Sequence, residues 1–236
     1  MGAYLIYLLI IILIPLWAQM KVKSTYSRYT KIPTSAGMSG AEVARRILDA
    51  NGLSNVAVVE TKGVLSDHYN PMTKTVHLST ENYRKHSVAG AAVAAHEVGH
   101  AIQDKEGYAA LRFRHALVPL ANISSNMAWF FILAGIFFTA LHQLMLVGII
   151  LMAVGVLFQI VTLPVEFNAS SRAMNQIVTL GLISNGIVTL GLISNGEERD
   201  ARKVLNAAAM TYVAAAAVAV LELVRMILIY TSSSRD

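Results

Sequence analysis

The chain has 236 residues, of which 55% are hydrophobic and only 14% charged, with a mean hydropathy of +0.54. That balance is too apolar for an ordinary soluble domain and fits a membrane protein. There is no cysteine, which excludes a disulfide framework, a cysteine-based metal site and a thiol nucleophile, and the formal charge of +5 comes without any nucleic-acid motif, so its expected partner is anionic membrane lipid rather than nucleic acid.

The first element is an apolar run from Ala3 to Trp17, followed by Lys21, Lys23, Arg28 and Lys31. It lacks a positive n-region and a small-residue cleavage site, so residues 1–20 read as an uncleaved transmembrane anchor. Residues 21–115 read as a small α+β domain. Ser39-Gly40-Ala41-Glu42 is a capping box, followed by the apolar stripe Val43, Ile47 and Leu48 and a stop at Asn51-Gly52. Val56 to Glu60, Val64 to Tyr69 and Lys74 to Leu78 are predicted strands, the last two joined by the turn Asn70-Pro71-Met72-Thr73. A short helix or turn covers Thr80 to Lys85. An alanine-rich helix follows from about Val88 to Gln103, ended by Asp104-Lys105-Glu106-Gly107.

That helix carries His96-Glu97-Val98-Gly99-His100. Residues four apart share a helix face, so His96 and His100 offer two imidazole nitrogens to one ion, with Glu97 beside them. The surrounding alanine and valine predict a buried helix, where three ionisable groups are costly unless a divalent cation compensates them. Two histidines, a third protein ligand and an open position make a catalytic zinc site, and the glutamate is placed to take a proton from the attacking water. The pattern points to a metal-dependent hydrolase, most simply a peptidase. The helix is short and flanked by Arg84, Lys85, Asp104 and Lys105, so it is expected beside the membrane rather than inside it.

Two further apolar stretches, about Leu117 to Leu141 and Leu144 to Leu163, are separated only by His142-Gln143 and make a transmembrane hairpin over residues 116–163. Residues 164–206 form a second extramembrane segment, and residues 207–236 hold a fourth span from about Ala207 to Tyr230. Within 164–206, residues 177–186 and 187–196 are the same ten letters in tandem, predicting an extended turn region with no role of its own. Of the nineteen Lys and Arg, thirteen lie between Lys21 and Arg114 and four between Pro164 and Asn206. The positive-inside rule then makes both segments cytoplasmic and both chain ends external, with Arg235 dissenting.

A catalytic zinc needs a third protein ligand. His68, His77, His86, His115 and His142 remain, the last on the opposite side of the membrane by the charge rule. Glu166 lies just past the third span, and the hairpin returns it to the membrane face of His100. It reads either as that ligand or as a surface carboxylate capping the next helix.

His96-Glu97-Val98-Gly99-His100-Ala101-Ile102-Gln103, Asp67-His68-Tyr69-Asn70-Pro71, Glu166-Phe167-Asn168-Ala169-Ser170 and the run from Glu197 to Ala215 together resemble the bacterial YugP-like neutral zinc metallopeptidases. The likeness covers nearly the whole chain outside the decamers, and extends more loosely to membrane gluzincins of the HtpX and CAAX-protease type. It implies a mostly α integral membrane protein of the bacterial inner membrane. About four transmembrane helices would accompany a small α+β zincin-like cytoplasmic domain carrying the H-E-x-x-H helix. It further implies one Zn²⁺ held by His96, His100 and Glu166, with Glu97 as the catalytic base. The Glu-Phe-x-Ala-Asp motif of those gluzincins ends in aspartate where Ser170 stands. The carboxylate that would orient a ligand histidine is thus absent, and another group must do so or affinity falls.

Tyr69, His68 and Arg172 are candidates to stabilise an oxyanion. The strand Lys74 to Leu78 is expected at a sheet edge, where a substrate backbone could add to the sheet. Glu222 and Arg225 are expected to pair inside the fourth span, while Asn122, Ser124, Ser125 and Asn126 serve helix contacts. The expected activity is peptide-bond hydrolysis at the cytoplasmic membrane face, on membrane proteins or peptides. The rival is a catalytically silent metal-binding adaptor or chaperone-like membrane protein, against which an intact Glu97 speaks.

Overall fold

The computed structural model describes residues 2–182 and 196–233. Most of the tandem decamers therefore lies outside the described residues. Seven α-helices are described: α1 Gly2–Tyr29, α2 Gly40–Ala50, α3 Thr80–Arg84, α4 Val88–Glu106, α5 Ala109–Phe137, α6 Gln143–Thr179 and α7 Gly196–Ser233. Three strands accompany them: β1 Ala57–Thr61, β2 His68–Asn70 and β3 Thr75–Ser79. α1, α5, α6 and α7 are each long and apolar enough to cross a membrane, so the chain reads as a multi-pass membrane protein.

The chain divides into two compact units. One comprises Met1–Ala18, Ala109–Pro164 and Thr211–Asp236, the other Gln19–Tyr108 and Val165–Met210. In the first unit small residues let helices approach closely. A Cβ on Gly148 would stand 2.7 Å from the Ala128 carbonyl oxygen, and one on Gly135 would stand 2.7 Å from the Met145 nitrogen. Arg225 meets Glu222 at 3.0 Å and lies 4.9 Å from the Tyr7 ring centroid. The Ser124 and Ser125 hydroxyls donate to the carbonyls of Leu120 and Ala121, and the Asn126 amide donates to that of Asn122. These three side chains thus bond their own helix rather than a neighbour.

In the second unit, α4 runs through the core. Ala91, Ala92, Ala95, Val98 and Ile102 are buried with the α2 stripe Val43, Ala44, Ile47 and Leu48 and with Val76 and Leu78 of β3. Alanine at so many positions gives α4 a thin profile, so neighbours can pack around it. The expected capping box forms: Ser39 accepts from the Glu42 backbone, and the Glu42 carboxylate accepts from the Ser39 N–H at 2.7 Å.

The sheet has the order β1-β3-β2, with β1 parallel and β2 antiparallel to β3. β3 is therefore central. This corrects the expectation that the Lys74 to Leu78 segment is an edge: β1 pairs with it along Thr75–Ser79 and β2 pairs with Thr75–His77 on the other side, so a substrate strand has no free edge over those residues. The expected strand Val64 to Tyr69 shrinks to His68–Asn70, because Gly63 (φ 114°) and Leu65 (φ 55°) turn the chain out of the extended region.

Two helix ends also differ from expectation. The charged Asp104-Lys105-Glu106 belongs to α4, which stops only at Gly107 in the left-handed conformation. α6 continues through Pro164, so Glu166 sits inside the helix of the third span and caps nothing. Proline's fixed φ is compatible with a helix; its cost is one hydrogen bond and a local clash. The apolar side chains of Val165 and Ala169, just beyond it, are fully buried.

Candidate metal centre

Within the second unit, α4 and the part of α6 after Pro164 each present a pair of residues four apart: His96 and His100 on α4, Glu166 and Ser170 on α6. They meet where Gly99 of α4 faces the backbone of Ala169 on α6. A Cβ on Gly99 would lie 2.6 Å from the Ala169 carbonyl oxygen. The contact leaves no room for a side chain, and it brings the flanking pairs face to face.

The His96 Nε2 lies 3.3 Å and the His100 Nε2 3.6 Å from one oxygen, Glu166 Oε2. The three donor atoms all lie within 4.8 Å of one another. The imidazoles stand nearly perpendicular, at 83° with centroids 4.8 Å apart, so their nitrogens converge rather than stack. Their side chains are only 13% and 12% exposed, and that of Glu166 3%. Among the described residues this is the group of three that could hold a metal ion. Two imidazoles and a carboxylate, with no sulfur, suit zinc with an open fourth position.

Each histidine is held by its other nitrogen. Ser170 Oγ lies 3.1 Å from His96 Nδ1, so serine itself stands where the sequence led us to expect a missing orienting group. Gln103 Oε1 lies 3.0 Å from His100 Nδ1. Gln103 is fully buried and also donates to the Val165 carbonyl at 2.8 Å and to Asn168 Oδ1 at 2.9 Å. Sequence reasoning gave neither Gln103 nor Asn168 a role. The signal was present in the spacing: Gln103 lies three residues after His100, on its face of the helix.

Glu97 is buried beside these groups and makes no hydrogen bond among the described residues. Burial raises its pKa above the ordinary carboxylate value; the charges of His96 and His100 oppose the rise without cancelling it. For His100, burial works against the charge, yet the hydrogen bond and charge of Glu166, with Glu97, outweigh it and raise the pKa.

The oxyanion candidates are engaged elsewhere. The Tyr69 hydroxyl donates to Asp104 at 2.7 Å, and burial followed by this bond raises its pKa. Arg172 donates to Asn168 at 2.7 Å and pairs with Glu106 at 2.7 Å. His68 is exposed and stacks on His77 across the β2–β3 pair, ring centroids 4.4 Å apart.

Residues 4–231 match a family described as "Putative neutral zinc metallopeptidase". A relative in Bacillus subtilis (strain 168), "Putative membrane protease YugP", is 48% identical over 214 residues, which is 91% of this chain and 90% of the relative. No solved structure matches. With a family match across nearly its full length and a close relative of the same extent, the chain belongs to this neutral zinc metallopeptidase family.

Proposed function

We propose that the chain is an integral membrane zinc endopeptidase, hydrolysing peptide bonds of membrane proteins or peptides at the cytoplasmic face of the bacterial inner membrane. The observation that carries this reading is the convergence of the His96 and His100 Nε2 atoms on one Glu166 oxygen, with a buried Glu97 alongside that has no hydrogen-bond partner among the described residues. His96, His100 and Glu166 would hold Zn²⁺, which supplies Lewis-acid polarisation of a water and of the scissile carbonyl. Glu97 takes the proton of the attacking water on a carboxylate oxygen and passes it to the leaving amine. Ser170 and Gln103 hold the rings, and Gly99 against Ala169 holds the two helices in register. The rival reading, a metal-binding adaptor, needs no buried carboxylate free to accept a proton.

The test is metal content and cleavage of a casein-like or membrane-protein substrate by the full chain purified in detergent. Wild type is expected to carry about one zinc and to cleave, whereas Glu166→Ala should lose most of its metal. Full zinc in that variant would move the third ligand elsewhere. The cytoplasmic placement rests on the seventeen of nineteen Lys and Arg lying in residues 21–114 and 164–206. A reporter fused after Asp236 should register outside the cell; a cytoplasmic signal would overturn the four-span topology.

A further inference from the structure

We infer that Gln103 and Asn168 are positioning residues that lock His100 in the tautomer able to bind metal. The inference rests on the zinc reading above, and its chain of hydrogen bonds has two unambiguous ends. At one end is the Val165 backbone carbonyl, which can only accept, 2.8 Å from the Gln103 carboxamide; the atom facing it must be Nε2. At the other end is Arg172, which can only donate. Its Nε lies 2.7 Å from the Asn168 carboxamide, so the atom facing it must be Oδ1. The same Oδ1 accepts from Gln103 Nε2 at 2.9 Å, so the two ends agree.

With Nε2 committed, Gln103 turns Oε1 toward His100 Nδ1 at 3.0 Å. An oxygen acceptor there requires Nδ1 to carry the proton. Nε2 is then the nitrogen with the free lone pair, and Nε2 is the atom that faces Glu166. Gln103 is fully buried, so no water competes for its amide. Arg172 closes the chain by pairing with Glu106 at the end of α4, which ties α4 to α6 beyond the last histidine.

The experiment uses the full chain in detergent. Zinc affinity is measured by competition with a chromogenic chelator, ligand geometry by the visible absorption of the Co²⁺-loaded protein, and folding by far-UV circular dichroism. Gln103→Met keeps the shape and removes every bond of the carboxamide. It should weaken zinc by about 10- to 100-fold and alter the Co²⁺ spectrum while keeping the helical signal. Asn168→Ala should move both readouts the same way. Asn168→Asp keeps an acceptor for Gln103 and Arg172 and should restore both to near wild type. Wild-type affinity and spectrum in Gln103→Met, or equal losses in the alanine and aspartate variants, would overturn the inference while leaving the zinc reading intact. A wild-type chain that takes up no metal at all would overturn both. Should Gln103→Met lose its helical signal, the alanine–aspartate comparison decides alone.

Discussion

Glu97→Gln should leave bound zinc unchanged and lower peptide cleavage by about 10²- to 10⁴-fold, the span a positioned general base contributes. That loss corresponds to roughly 3–5 kcal/mol of transition-state stabilisation. Glutamine matches the shape of glutamate and stays buried with little repacking, but it cannot accept the water's proton. The three atoms proposed to hold the metal belong to His96, His100 and Glu166, so metal content has no reason to fall. The two readouts together separate the base from a ligand: cleavage lost with zinc retained marks a base, and both lost together marks a ligand or a folding defect. Equal cleavage by the variant and wild type would remove Glu97 from the mechanism. Metal binding with no cleavage in either protein would favour the adaptor reading.

The second large effect is expected from Gly99→Val, which touches no reacting group. The Cβ would sit 2.6 Å from the Ala169 carbonyl oxygen and 3.2 Å from that residue's Cα and carbonyl carbon, all backbone atoms. A backbone cannot rotate aside as a flexible side chain does, so α4 and α6 must separate by several tenths of an ångström. Metal ligands tolerate about 0.2 Å. The predicted outcome is a thermal midpoint lowered in line with an overpacking cost of about 1–3 kcal/mol, together with strongly reduced zinc uptake. Gly155→Ala is the matched control on α6, because a Cβ there meets nothing within 4 Å. It should leave zinc uptake unchanged and, through better helix propensity, leave stability equal or slightly higher. Wild-type zinc uptake and melting in Gly99→Val would show that the helix contact does not set the site.

Some of this was legible because the information is local. The H-E-x-x-H spacing covers little more than one helical turn, and the capping box Ser39–Glu42 spans four residues; neither needs the rest of the chain to be recognised. The four apolar helices follow from hydropathy and length alone, although their ends do not. Lys21, Lys23 and Arg28 lie within α1, and Asp104 to Glu106 within α4, because helix continuation depends on backbone hydrogen bonds that charged side chains do not interrupt. Glu166 was put forward by its place just past the hairpin and assigned as a ligand by a resemblance, not by any local spacing. The chain between it and His100 closes a loop whose geometry no local pattern dictates.

By itself, then, the order of residues determined the membrane class, the metal-capable helical turn and the absence of sulfur chemistry, since each depends only on composition or on neighbours a few positions apart. Only the folded chain decided that β3 lies between β1 and β2, that α6 runs unbroken through Pro164, and that Gly99 against Ala169 sets Glu166, Ser170, Gln103 and Asn168 around two imidazoles. Those outcomes are settled by contacts between residues tens of positions apart. Steric fit and the pairing of buried polar groups, rather than any local preference, select among the alternatives there.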